Sequence, residues 1–87
     1  MYEVLEFPLT DKVNDFDAPL GSKVLGVIYK GATPIALVLA NSHAKQLKPM
    51  RIMSIPSNEE FMSNYPIEYI TTTMGGPKQY VHHFKIY

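Results

Sequence analysis

Two adjacent histidines, His82-His83, are the first residues in this chain that could do chemistry, as metal ligands or proton carriers. Successive residues of an extended chain point to opposite faces, so in strand geometry the two cannot chelate one ion. The bland reading, a half-buried strand histidine held by hydrogen bonds, is the commoner one. His83 stands out as either such a core residue or a group facing a ligand. Ahead of the pair, Thr71-Thr72-Thr73 and the turn Gly75-Gly76-Pro77-Lys78 collect hydroxyls, turn amides and an ammonium, which together can cradle an anion. The spacing is not that of a phosphate-binding P-loop, and threonine is also simply a good strand residue. Arg51 offers a planar fork suited to phosphate and belongs to a basic cluster with His43, Lys45 and Lys48. Tyr69 supplies a ring on which a base could stack. The expected ligand site is therefore Arg51, Tyr69, Thr71, Thr73, Lys78 and His83, with Tyr69 and Thr71 on one strand face. A chain this short cannot wrap a nucleotide alone, so a subunit interface is the expected location. No Ser-His-Asp, paired-carboxylate or Cys-His arrangement has a distinctive setting. The chain accordingly reads as a non-enzyme, with no catalytic residue, metal or cofactor assigned.

The elements that must position these residues are mostly short strands. The most apolar stretches are Lys23 to Lys30 and Pro34 to Asn41, joined by Gly31-Ala32-Thr33, and they read as a buried hairpin on which the other strands assemble. In the second arm Ile35, Leu37 and Leu39 oppose Ala36, Val38 and Ala40, and the larger set is expected to face the core, with Leu25 and Val27 beside it. Gly26 marks a bulge or a close backbone approach. Tyr2 to Phe7 is a first strand, ended by Pro8. Val13 to Asp17 is a second, with one wet face, and Ala18-Pro19-Leu20-Gly21-Ser22 is a tight turn. Asn41 to Pro49 reads as a polar loop and Met50 to Ile55 as a strand. Pro56 to Asn64 is the single helix candidate, capped by Ser57 or Asn58 and ended before Pro66. Ile67 to Met74 and Gln79 to Tyr87 flank the Gly-Gly turn as the last hairpin, with His83, Lys85 and Tyr87 on one face. Six to seven short strands and one short helix predict a mainly β fold, a small antiparallel sandwich or a partly open barrel.

With 87 residues the chain holds one domain, residues 1–87. Stability on the usual per-residue scale is about 4 to 13 kcal/mol, and covering edge strands in a two-fold dimer would add to it. Six tyrosines suit such an interface. Eight basic residues balance eight acidic ones, so there is no overall field to draw the chain onto nucleic acid or an anionic membrane. The absence of cysteine excludes disulfides and fits a reducing cytoplasm. The N-terminus lacks the basic and apolar regions of a signal peptide, and no apolar run is long enough to span a membrane.

The order of Phe7-Pro8-Leu9-Thr10-Asp11, Pro19-Leu20-Gly21-Ser22-Lys23-Val24-Leu25, Met50-Arg51-Ile52, and Gly75-Gly76 before Val81-His82-His83-Phe84 resembles a family of short bacteriophage-encoded proteins of unknown function. The resemblance spans most of the chain. It departs where that family has a Gly-Thr-Gly-His loop after the arginine strand and a tryptophan before the terminal histidine; here stand Ser54-Ile55-Pro56-Ser57 and His82. The resemblance implies a phage origin and a small β-rich fold, and it implies no chemistry. Combined with the residues above, the expectation is a binding protein acting in the host cytoplasm, which captures a host protein or sequesters a small nucleotide-like defence signal. The alternative expectation is a structural or accessory virion protein that acts only through assembly.

Overall fold

The computed structural model describes residues 1–76 and 79–87. Seven strands alternate with short connections: β1 (Tyr2–Pro8), β2 (Val13–Pro19), β3 (Lys23–Lys30), β4 (Thr33–Asn41), β5 (Leu47–Pro56), β6 (Ile67–Gly76) and β7 (Gln79–Ile86). They form two antiparallel sheets, one in the order β1-β4-β3 and the other in the order β2-β5-β7-β6. The mainly β sandwich expected from the alternating patterns is the architecture observed. Among the described residues no helix forms, and so none is long and apolar enough to cross a membrane.

Turn chemistry explains the hairpins. Lys30 pairs with Thr33 across Gly31-Ala32, and Gly31 sits at φ 61°. A positive φ at the first central residue suits the twist of a two-residue hairpin. Gly21, at φ 85°, occupies the third position of a turn closed by the Ser22 amide donating to the Pro19 carbonyl at 3.0 Å. Only glycine takes that torsion without strain. Pro19 is thus the last residue of β2 rather than the first central turn residue.

The core lies between the sheets, where the Phe7 and Phe16 rings stack at 4.2 Å with 12° between their planes. Around them pack Leu9, Val27, Ala36 and Ile52 on one side and Ala18, Val38 and Met50 on the other. The expectation that the leucine face of β4 points inward is therefore corrected. Ala36, Val38 and Ala40 are the buried inward set, while Ile35, Leu37 and Leu39 form the outer face, Ile35 buried at 8% exposure and the two leucines half-buried. The small side chains leave room for the two aromatic rings, which supply the bulk. Leu25 is also out, at 51% exposure, because the register of β3 on β4 shifts between Val24 and Gly26. That bulge turns both Val24 and Val27 inward despite their opposite parity and leaves Leu25 as the extra residue.

Two further expectations change. Leu47 to Pro49, read as loop, pairs with β2 and begins β5. The helix expected over Pro56 to Asn64 is absent: the Glu59 amide donates to the Pro56 carbonyl at 3.3 Å, and Asn58 is left-handed at φ 67°. A left-handed residue at that point ends any helix before its first turn. The segment instead runs over the outer face of the four-stranded sheet, where the Phe61 ring meets Phe84 at 5.6 Å. On that same face Met53 and Ile55 are only 5% and 2% exposed. An ion pair between Lys12 and Glu59 ties the segment to the β1–β2 loop.

Candidate functional site

A cleft of about 420 Å³ opens at one end of the sandwich, lined by the β2–β3 turn, the start of β5 and the end of the chain. Its origin is a mismatch in strand length. The β5–β7 ladder ends with Arg51 opposite Ile86, whereas β5 continues to pair with β2 as far as Leu47 opposite Pro19. Lys48, Pro49 and Met50 thus have a neighbouring strand on one side only. The other side is left to Lys85, Ile86 and Tyr87, whose amide is anchored by the Pro66 carbonyl at 2.9 Å. The turn opposite is held by the Leu20 amide donating to Gln46 at 2.8 Å and by the Ser22 hydroxyl donating to Pro19 at 2.5 Å.

The charged side chains that line the cleft are Lys48 and Lys85, with no Asp or Glu side chain among its described lining. Glu68, opposite Lys85 in the β6–β7 ladder, lines the neighbouring concavity. The Lys85 ammonium lies 4.7 Å from the centre of the Tyr87 ring, a cation–π contact that holds the charge at the cleft wall without neutralising it. The Tyr87 hydroxyl donates to Glu68 at 3.3 Å, which fixes the ring. Beyond that ring a second concavity of about 370 Å³ shares Ser22, Lys85 and Tyr87 and adds Lys23, Glu68 and Tyr69. Two ammonium groups facing a dry floor of Ala18 and Met50, with a tyrosine beside them, can bind an anion through charge-assisted hydrogen bonds and pack a flat ring.

The residues expected from sequence are brought together only in part. His83 is fully buried on the inner face, its Nδ1 2.8 Å from the Ser54 hydroxyl and its Nε2 2.8 Å from the Thr73 hydroxyl. Thr71 lies opposite His83 in the β6–β7 ladder. A neutral imidazole satisfies both hydroxyls, donating to one and accepting from the other. Burial, aided by the neighbouring His82, holds the His83 pKa below the usual histidine value. Tyr69 is not on the face of Thr71, contrary to expectation. The β6–β7 register shifts between Tyr69 and Thr71, so Tyr69 points outward, against Phe84 at 6.0 Å. Arg51 is outward as well and bonds Asp15 at 2.5 Å, and that hydrogen bond and charge raise its already high pKa. It lines a shallower hollow of about 250 Å³ with Tyr65 and Tyr87. Lys78 lies outside the described residues.

On the outer face His82 forms a relay of its own. Its Nε2 is 2.7 Å from the Ser57 hydroxyl and its Nδ1 2.9 Å from Thr72, which in turn meets the Tyr69 hydroxyl at 2.8 Å. The order resembles nucleophile, base and orienting group, but a neutral hydroxyl stands where a carboxylate would stabilise the imidazolium. The two histidines thus point to opposite faces, as alternation requires, and among the described residues no three potential ligands come together to hold a metal.

Sequence reasoning placed Lys48 in a basic cluster but missed Lys85 and Tyr87. The usable signal was the alternation of the last strand, which sets Lys85 and Tyr87 on the inward face with His83: a lysine on an inward face belongs at an open end. No family model, curated protein or solved structure matches the chain.

Proposed function

We propose that this chain is a small binding protein, without catalytic activity, that sequesters a compact anionic ligand of nucleotide-like chemistry in the end cleft. The observation that supports this most directly is the pair Lys48 and Lys85 lining a cleft with Tyr87 and, among the described residues, no Asp or Glu side chain. At about 420 Å³ the cleft falls within the range of small-molecule sites. The ammonium groups are compact point charges suited to phosphate oxygens, and the tyrosine ring adds stacking area. On this reading the protein acts on a host component in a phage-infected cytoplasm by removing a signal rather than transforming it. Calorimetric titration with linear and cyclic nucleotides tests it, using the wild type, Lys48→Ala and Lys85→Ala. The expected result is binding by the wild type that weakens at least about tenfold in each variant. Absence of heat with every nucleotide, or equal binding by both variants, removes the reading.

A further inference from the structure

The two sheets are treated unequally on their outer sides. The four-stranded sheet has its outward Met53 and Ile55 covered, with Phe61 of the β5–β6 connection packed on the neighbouring Phe84. Among the described residues no connection is laid over the three-stranded sheet, whose outer side is closed only near Ile35, 8% exposed, at the end where Lys30 reaches Glu6. Its outer face presents Val4 at 52% exposure and Ile28 at 44%, on either side of the half-buried Leu37 and Leu39 of the central strand. Flat apolar sheet faces of this kind pack well against another sheet about 10 Å away, as the inner face of the same sheet already does.

The charges around this face decide what covers it. Its β1 margin carries a carboxylate, Glu6, and its β3 margin carries two ammonium groups, Lys23 and Lys30. Glu6 and Lys30 meet at 2.5 Å above β4, and Lys23 has no ion-pair partner among the described residues. A two-fold axis running along the strands lays β1 of one molecule over β3 of the other. It thereby brings acid to base twice and leucine to leucine in the middle, whereas an axis across the strands brings like margins together. The face is thus self-complementary in charge as well as in polarity.

We infer that the outer face of the β1-β4-β3 sheet is covered by the same face of a second copy of this chain, with Glu6 of each molecule directed at Lys23 of the other. The centre of the interface, at Leu37 and Leu39, lies apart from Lys48 and Lys85; Lys23 also lines the concavity beside the cleft, so Leu37→Lys and Glu6→Lys test the interface independently of the ligand site. Light scattering coupled to size exclusion, over a hundredfold range of concentration, reads it directly. The wild type should have the mass of a dimer. Leu37→Lys, Glu6→Lys and Lys23→Glu should each raise the dissociation constant more than about tenfold while keeping the wild-type circular dichroism. Tyr80→Lys, on the other sheet, should leave the mass unchanged. The sharpest arm is the mixture: Glu6→Lys and Lys23→Glu, each monomeric alone, should form a dimer together, because both symmetric contacts then pair opposite charges. A monomeric wild type at every concentration overturns the inference. So does a dimer that ignores Leu37→Lys, or a mixture that stays monomeric.

Discussion

Replacing His83 by phenylalanine isolates the interaction that joins the last three strands of the larger sheet from the inside. The phenyl ring is somewhat larger than imidazole, so no cavity opens, and the change falls chiefly on hydrogen bonds. Ser54 on β5 and Thr73 on β6 each lose a partner held at 2.8 Å, around a side chain with no exposed surface. A fully buried hydroxyl left unpaired costs about 1 to 3 kcal/mol, and because Ser54 and Thr73 are half-buried the two together should cost about 1 to 3 kcal/mol. Against a total of about 4 to 13 kcal/mol for a chain of this length, that is a large share of the stability at the lower end and a measurable one throughout. The same residue imposes a pH dependence. Its folded pKa lies below its unfolded one because burial disfavours the charged ring. In the window between the two values the unfolded chain binds a proton that the folded chain does not. Stability is therefore full above about pH 6.5 and falls on acidification by up to about 1.4 kcal/mol per pH unit, until the folded value is passed. Urea titrations from about pH 8 to pH 5, followed by circular dichroism, should show this slope in the wild type and lose most of it in His83→Phe. A variant with an unchanged urea midpoint would refute the buried hydrogen-bonded histidine. A wild type of constant stability down to pH 5 would refute the neutral one.

Three further outcomes follow from packing. Val38→Ala should cost about 2 kcal/mol, because Val38 has no exposure, and Leu37→Ala less in the monomer, because Leu37 faces outward; thermal melts at a concentration low enough to dissociate a dimer give the order, and a larger loss at Leu37 there would contradict the facing of β4. Asn14→Leu should lose about 1 to 3 kcal/mol in a urea titration, since the 8%-exposed Asn14 carboxamide accepts from the Thr10 and Asp11 amides at 3.1 Å and donates to the Asp11 carbonyl at 2.6 Å. Gly75→Ala should lower the melting midpoint while Gly26→Ala leaves it in place or raises it. A methyl at Gly75 would stand 2.9 Å from Val81 Cγ2 and 3.2 Å from the Tyr29 hydroxyl, whereas nothing lies within 4 Å at Gly26.

The sequence by itself determined the inventory of strands and most of their ends. Lys23–Lys30 was legible to the residue, because lysines bound an uncharged apolar run and a glycine that tolerates positive φ stands in the turn on either side. Strict alternation in β7 also separated the two histidines correctly, and with them the inward side of Lys85. What alternation cannot carry is an interruption of its own period. The bulges between Val24 and Gly26 and between Tyr69 and Thr71 each insert one residue, and one residue reverses every face beyond it. That is why Leu25 left the core and Tyr69 parted from Thr71. The inward side of β4 was equally out of reach, because Ala36 and Val38 pack against Phe7 and Phe16, which arrive from different sheets and fill the space beside the smaller side chains. The segment after Pro56 had local helix signals, but its apolar residues are satisfied by lying on a sheet face, and no local propensity records that face. The end cleft is the most purely tertiary feature. It exists because β7 stops opposite Arg51 while β2 and β5 go on pairing, and a difference in length between strands distant in sequence is set only when the sheet is assembled.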